Sequence, residues 1–241
     1  MTTIEALLND LSTDAPVRQV LVGAFWTAVV LDTGRCGLAS TLRAESHEEG
    51  PPVRQPGRLC EHSGRELAEW LHSPRILEAS IGMAALNALL DVDESACTEL
   101  NAEEVIVQRG AGQRVAIVGH FPFVERARQA AKVCWVLELR PRPGDLPAVQ
   151  AEDVLPQADV VALTGTSLLN HTFDDLIALC RPGAFVVVLG ASAPLSPILL
   201  DRGVDAISGT KVVDVPAVLR AVGEGATFRQ IPGKRLLTMV R

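Results

Sequence analysis

Residues 115–122 read VAIVGHFP, a short apolar run that ends in glycine and histidine. Continuous apolar runs recur downstream at 133–137, 160–163, 185–189 and 205–207, and segments able to form helices lie between them. Continuous rather than alternating runs are typical of parallel strands that are buried on both faces. Strands that alternate with helices at this spacing predict a doubly wound, Rossmann-like parallel sheet in the second half of the chain.

The first half of the chain has a different pattern. Residues 2–12 predict an amphipathic helix, 17–31 and 36–40 predict strands joined by a turn at 32–35, and 41–63 predict a long loop. Two further helices are predicted at 64–72 and 74–90. We therefore expect an α/β protein with an α+β domain over residues 1–104 and a Rossmann-like domain over residues 105–241.

The composition excludes several classes of protein. The 241 residues include 22 Lys and Arg against 29 Asp and Glu, a net charge of -7, which does not suit binding to nucleic-acid phosphates. No apolar stretch reaches the roughly 20 residues that a membrane helix needs, and the N-terminus lacks the pattern of a signal peptide. We expect a cytoplasmic protein that binds neither nucleic acid nor membranes, and the sequence leaves open whether it forms a homo-oligomer.

The five cysteines give no sign of a disulfide framework or a zinc motif. They are scattered along the chain and form no CxxC pair. In a cytoplasmic protein such cysteines are expected to be reduced thiols.

The ends of the predicted parallel strands are the expected binding rim. Ligands of doubly wound sheets bind outside the carboxyl ends of the strands. Glycines and small hydroxyl residues there suit the close approach of a ligand, although the same residues are ordinary in turns and helix caps. The candidate ligand-binding residues of this rim are Gly119, His120, Glu138, Thr164, Gly165, Thr166, Asn170, Gly190, Ser192, Gly209, Thr210 and Lys211.

Two of these residues have side chains suited to metal binding or acid/base catalysis. His120 and Glu138 are candidate metal ligands and together form a candidate acid/base pair. Glu138 lies 19 residues after Gly119, where nucleotide-binding folds place an acid on the ribose, but the loop has only the first glycine of G-x-G-x-x-G. Lys211 would supply positive charge for an anionic ligand.

A common cavity is expected for these groups, because parallel strands point their carboxyl ends to the same side. The five residues expected to face it are His120, Glu138, Thr166, Asn170 and Lys211. The sequence does not identify a catalytic residue.

The predicted helix that contains residues 77–88 is rich in small residues, which would let another backbone approach it closely. Glu78 and Asn87 are polar in this otherwise apolar helix, and a carboxylate is costly to bury without a partner. We expect Glu78 and Asn87 to contribute to the cleft from the first domain, and a position on the solvent face is the alternative for Glu78.

Several short motifs, in order, resemble those of the putative heavy-metal-chelation family, formerly a family of unknown function. They are SIGMAALNA at 80–88, GHFP at 119–122, LE at 137–138, DVVALTGTSLLN at 159–170, GASAPL at 190–195 and GT at 209–210. The resemblance covers nearly the whole chain. It implies a domain like the N-terminal domain of enolase, then a Rossmann-like domain, with the active site in the cleft between them. Without the enolase barrel it implies no enolase activity.

The expected function is binding of a small, partly anionic ligand or a metal complex in the inter-domain cleft, with a role in heavy-metal chelation or cofactor handling. The alternative is an enzyme that uses a nucleotide-like or adenosyl cofactor on the Rossmann-like rim, so a transition metal and a nucleotide-like ligand are both open as cofactors. His47, Cys60 and His62 in the 41–63 loop could bring imidazole and thiolate together, and chance explains that set at least as well.

Overall fold

Two sheets organise the chain. Within residues 1–43 and 51–241, which the computed structural model describes, the strands form a three-stranded antiparallel sheet and an eight-stranded, mostly parallel sheet. This arrangement confirms the predicted α/β class. No helix in the described ranges is long and apolar enough to span a membrane.

The first unit combines three helices with the small sheet. Thr2 and Glu5 form a reciprocal capping box that starts its first helix. Gly34, at φ 84°, makes the predicted turn between the second and third strands. The elements are α1 (Thr3–Asn9), β1 (Val17–Val22), β2 (Trp26–Leu31), β3 (Cys36–Ser40), α2 (Gly64–Ala68) and α3 (Ile76–Leu89), with 3-10 helices at Leu59–Glu61 and Glu69–His72.

Helix α3 is the centre of this unit and is buried over most of its length. A Cβ at Gly82 would lie 2.4 Å from the backbone nitrogen of Leu71, and one at Gly37 would lie 2.1 Å from the carbonyl oxygen of Ala84. Only glycine therefore allows the backbones to come so close at these two positions. The small residues of the helix predicted such close packing.

The second unit alternates strands and helices. A 3-10 helix at Glu94–Ala96 precedes it, and others lie at Ala148–Gln150, Leu155–Gln157 and Phe228–Gln230. Its elements are β4 (Cys97–Thr98), α4 (Ala102–Gly110), β5 (Arg114–Val118), α5 (Val124–Ala130), β6 (Val133–Glu138), β7 (Leu146–Pro147), α6 (Ala151–Val154), β8 (Val160–Thr164), α7 (Thr166–Leu169), α8 (Phe173–Leu179), β9 (Phe185–Leu189), α9 (Pro197–Asp201), β10 (Ala206–Val212), α10 (Val215–Gly223) and β11 (Lys234–Val240).

The strand order of the large sheet is β4-β11-β10-β9-β8-β5-β6-β7. Strands β5 to β10 are parallel to their neighbours within this order, and β11 and β4 are added antiparallel at one side. From β5 the chain proceeds outward to β6 and then returns to β8 on the other side of β5. The switch point of the doubly wound sheet therefore lies between β5 and β8, where such folds form their binding crevice.

Strand β10 is longer than the sequence predicted. Its apolar run ends at residue 207, but the strand continues to Val212 because β11 pairs with it over its whole length. Lys211 consequently lies within a strand, opposite Arg235, instead of in a loop at the rim.

The two units share one hydrophobic core. A single buried cluster contains Leu7 and Leu86 of the first unit together with Leu163 and Ile207 of the second. The predicted boundary at 104/105 would fall inside α4, and β4 already pairs with the large sheet. We propose that the second unit begins before Cys97.

Candidate functional site

A cleft of about 510 Å³ separates the carboxyl edge of the large sheet from the first unit. Trp26 and Ser40 of the small sheet line it, together with the loops after β5, β8 and β9. Eight of the predicted residues line this larger cavity: His120, Thr164, Gly165, Thr166, Gly190, Ser192, Gly209 and Thr210.

A second, smaller cavity of about 260 Å³ lies at the carboxyl ends of β5, β6 and β8. The predicted residues that line it are Gly119, His120, Glu138, Thr164, Thr166 and Asn170. His120, Thr164 and Thr166 line both cavities, so they form the partition between them.

His120 is held by a buried aspartate. Its Nδ1 lies 2.8 Å from Oδ2 of Asp145, whose side chain is fully buried. Arg128 donates to Oδ1 at 2.9 Å, and the backbone N–H of Arg142 donates to Oδ2 at 3.2 Å. Nδ1 must therefore donate its hydrogen to the carboxylate, which leaves Nε2, on the far side of the ring, to contact a ligand.

The Asp145 carboxylate stays ionised in this setting. Burial alone would raise its pKa, but the hydrogen bond from His120, the bond from the Arg142 amide and the nearby charges outweigh burial and hold the pKa below its ordinary value. The ionised carboxylate can therefore orient His120 by accepting the hydrogen of Nδ1.

Glu138 fixes the main chain at His120. One carboxylate oxygen accepts the backbone N–H of His120 at 2.7 Å, and the other accepts the N–H of Leu139 at 3.0 Å. The preceding residue, Gly119, has φ 100°, a conformation that L side chains rarely adopt. Glu138 thus holds the turn that presents His120, and it also lines the smaller cavity.

The loop after β8 supplies hydroxyl and amide groups. The Oγ1 atoms of Thr164 and Thr166 are 3.0 Å apart, so each has a partner in the other. The Oδ1 of Asn170 accepts from the N–H and the hydroxyl of Thr172 at 3.3 Å and 2.8 Å. The NH₂ group of Asn170 is what remains to contact a ligand in the smaller cavity.

Three rim residues serve contacts within the protein. A Cβ at Gly165 would lie 2.5 Å from the backbone nitrogen of Ala193, and one at Gly209 would lie 2.7 Å from the Ala193 carbonyl oxygen. The Ser192 hydroxyl accepts the N–H of Ser40 at 2.8 Å and joins the two units. Close packing and joining of the units therefore explain these residues without a ligand.

Lys211 does not face either cavity, contrary to the prediction. Its ammonium group pairs with Glu94, and Arg235 binds the same carboxylate. The physical reason is the extended β10, in which Lys211 points to the surface beside its register partner Arg235. It supplies no charge to the cleft.

Glu78 and Asn87 also lie outside both cavities, contrary to the expected position in the cleft. Glu78 is fully buried, and it accepts the Arg54 N–H at 2.6 Å and the Ser73 hydroxyl at 2.6 Å. Asn87 donates from Nδ2 to the carbonyl oxygens of Leu38 at 2.8 Å and Ala191 at 3.3 Å. Glu78 anchors a loop to α3, and Asn87 joins the two units.

The Glu78 carboxylate is stabilised in its charged form. Burial would raise its pKa, but hydrogen bonds from Ser73 and Arg54 and the Arg54 charge lower it below the ordinary value. The Arg54 guanidinium also lies over the Trp70 ring, 4.7 Å from its centroid.

The described residues do not form a metal centre of three or more His, Cys, Asp or Glu side chains. In the 41–63 loop, His47 lies outside the described residues. Cys60 contacts the carbonyl oxygen of Arg18, and His62 contacts Gln55 and Glu66, so neither donor is directed to a shared point. His120 is the metal-capable group at the larger cavity whose second ring nitrogen stays available.

Sequence reasoning missed Asp145 and Arg128, which hold His120. Arg142-Pro143-Gly144-Asp145 has the composition of a turn, and no spacing rule connects a turn residue to a histidine 25 positions earlier. Sequence reasoning also missed the aromatic wall of the larger cavity, although two phenylalanines flank Pro122 directly after His120.

Comparisons with known proteins agree with this architecture. Two family models, both described as putative heavy-metal chelation, match residues 101–241 and 4–90. An uncharacterized protein of Methanocaldococcus jannaschii is 28% identical over 193 residues, which is 76% of this chain and 72% of that protein.

Crystal structures of two proteins with unknown function from the DUF364 family have the same fold. The protein from Desulfitobacterium hafniense DCB-2 superimposes with a TM-score of 0.84 at 24% identity, covering 99% of this chain and 97% of that one. The protein from Pyrococcus horikoshii gives 0.83 at 20% identity, covering 99% and 98%. With the two model matches, these results confirm the resemblance seen in the motifs: the chain belongs to the putative heavy-metal chelation family.

Proposed function

We propose that the protein binds a small, partly anionic ligand or a metal complex in the cleft between its two units, and that it serves in heavy-metal chelation or cofactor handling. The observation that carries the proposal is the His120 ring, which Asp145 orients at the wall of a cavity of about 510 Å³. A histidine with one nitrogen fixed by a carboxylate is the usual form of a protein ligand to a metal.

The position of the cleft supports the proposal. It lies at the carboxyl ends of β5 and β8, which flank the switch point of the sheet. Its volume is within the range of small-molecule sites, about 300–1,000 Å³. The cytoplasm is the expected location.

The donor set favours a metal complex over a free ion as cargo. Transition metals take four or more ligands in stable protein sites. In the described part of the chain the cleft offers one imidazole and no cluster of three metal-capable side chains. A small chelator would supply the remaining ligands, and His120 would complete the coordination of its metal.

The test is binding of Ni²⁺–nitrilotriacetate, an anionic chelate with open coordination positions, to tag-free protein, measured by calorimetry. Wild type and the control His62→Ala are expected to bind one chelate, and His120→Ala is expected to lose it. Native mass spectrometry with elemental analysis shows whether the purified protein carries a metal and an organic molecule together, and whether both are released in the same step. Equal binding by His120→Ala, or tighter binding of Ni²⁺ alone than of the chelate, would contradict the proposal.

A second candidate function is an enzyme that holds a nucleotide-like or adenosyl cofactor in the smaller cavity. The specific observation is Glu138 at the end of β6, the place of the ribose-binding acid in nucleotide folds. Adenosine and S-adenosylmethionine are the probes. Binding that Asn170→Ala weakens and that Phe228→Leu, in the larger cavity, leaves unchanged would support this candidate over the first.

A further inference from the structure

The aromatic side chains of the chain are concentrated at the larger cavity. The sequence has three Trp, six Phe and no Tyr. Four of these nine residues line the cavity: Trp26, Phe121, Phe123 and Phe228. Three of the four are only partly buried: each packs against a buried hydrophobic cluster and keeps part of its surface exposed. This distribution indicates a surface made for contact with a ligand.

The four residues form two pairs, which come from distant parts of the chain. Trp26 of β2 and Phe228 near the C-terminus have ring centroids 5.2 Å apart. Phe121 and Phe123, which follow β5, are stacked with centroids 5.3 Å apart and planes 17° from parallel. The Trp26 Nε1–H donates to the Ala226 carbonyl at 3.1 Å, which fixes the orientation of the indole. The rings are therefore preorganised, and a flat ligand would bind them without first ordering them.

Two polar groups at the same cavity lack partners within the described residues. The buried hydroxyl of Thr210 has no hydrogen-bond partner, which is unusual for a buried polar atom. Arg229 follows Phe228, is exposed, and has no ion-pair partner in those ranges. Among the described residues no other Lys or Arg lines the cavity, and Glu103, the carboxylate at its rim, is paired with Arg126.

From these groups we infer that the larger cavity takes a planar heteroaromatic molecule that carries an anionic group. Its ring would stack on the aromatic pairs, its anion would pair with Arg229, and a ring heteroatom or hydroxyl would accept a hydrogen bond from Thr210. The inference rests on the proposed function, because it names the class of chelator or ligand for the same cleft.

The probe is metal-free 8-hydroxyquinoline-5-sulfonate, with uncharged 8-hydroxyquinoline as its partner, and binding is followed by calorimetry. Arg229→Gln is expected to weaken binding of the sulfonate about tenfold, the scale of a charge-assisted hydrogen bond, and to leave the uncharged probe unchanged. Phe228→Leu is expected to weaken both. The control Arg109→Gln, an exposed arginine stacked on Phe185 elsewhere, is expected to match wild type.

Thr210→Val separates binding from folding. If the hydroxyl is unpaired in the free protein and pairs with a bound ligand, its removal raises the melting temperature of the free protein and lowers its affinity for the probe. Equal binding of the sulfonate by wild type, Arg229→Gln and Phe228→Leu would overturn the inference, and so would a wild-type Kd above about 1 mM for both probes. The Ni²⁺–nitrilotriacetate result is independent of these rings, so the failure of this inference is distinguishable from the failure of the proposed function.

Discussion

The imidazole of His120 donates from Nδ1 to the buried carboxylate of Asp145, 2.8 Å away. Because Arg128 shares this carboxylate, the aspartate remains ionised and accepts the hydrogen of Nδ1, which fixes the orientation of the ring. The pair therefore gives the cleft an oriented nitrogen donor. Few other metal-capable groups of the described residues lie near this cavity.

Replacement of Asp145 by Asn should weaken binding of Ni²⁺–nitrilotriacetate about 10- to 100-fold, the usual effect of removing a partner behind a metal-binding histidine. The Nδ1–H tautomer should also lose its dominance, which ¹⁵N NMR of the His120 ring reports directly. Glu125→Gln is the matched control, since Glu125 is an exposed carboxylate that also pairs with Arg128. An unchanged ring spectrum in Asp145→Asn would contradict the assigned role.

Glu78→Gln should reduce the free energy of unfolding by about 1–3 kcal/mol, the cost of leaving buried hydrogen-bonding groups poorly paired. The carboxylate accepts from both Arg54 and Ser73 in a fully buried position. Urea unfolding measures the change. Glu61→Gln, which breaks an exposed pair with Arg58, is the control and should stay close to wild type. A cleft role for Glu78 would instead appear as lost binding at unchanged stability.

Asp159 should make stability depend on pH in the acid range. Hydrogen bonds from Arg114, with the charges of Arg114 and Arg181, hold its pKa far below the ordinary value. A lowered folded-state pKa adds stability that is complete above the unfolded value of about 4 and is lost as the pH falls towards the folded value. The melting temperature of Asp159→Asn should therefore lie below wild type at pH 7, and the gap should narrow below about pH 4.

The control for Asp159 is Asp32→Asn, which removes an exposed pair with Arg18. It is expected to lower the melting temperature less at pH 7 than Asp159→Asn does. A gap for Asp159→Asn that is constant from pH 7 to pH 3 would show that the ion pairs are not its cause.

All five cysteines should be free thiols, and they should react at very different rates. None is paired in the structure, and only Cys60 is exposed. Burial raises the thiol pKa of Cys36 to about 12 and those of Cys134 and Cys180 to about 11. A disulfide reagent should modify Cys60 first in native protein and all five after denaturation. The Cys60→Ser variant should lack the fast phase; retention of that phase would contradict the burial of the other thiols.

The strands of the large sheet could be predicted where the pattern is local. The runs that became β5, β6, β8 and β9 are continuous and apolar, so their positions could be predicted from local sequence. Strands β4 and β7 have two residues each and no periodicity to detect. The length of β10 depends on β11, about 30 residues later, so Lys211 was misplaced by a pairing that its own neighbourhood does not encode.

The residues of the cleft likewise divide into those that a local sequence pattern predicts and those whose contacts depend on distant parts of the chain. Strand-end reasoning placed His120, Thr164 and Thr166 at the cavities, because the end of a parallel strand is a local property. The partners of side chains are set by tertiary structure. Glu78 meets Arg54 through a loop 24 residues away, and Asp145 reaches His120 from a turn, so neither contact could be predicted from spacing.

The buried cluster that runs through both units has a consequence for how such proteins evolve. The two family models divide the chain into residues 4–90 and 101–241, yet Leu86 and Leu163 belong to the same core. A recombinant that joins the first segment of one relative to the second segment of another would place mismatched shapes face to face, at a cost in packing. Substitutions on the two sides of this shared surface should therefore be inherited as compensating pairs. The two segments of one protein should be inherited together, without exchange between relatives.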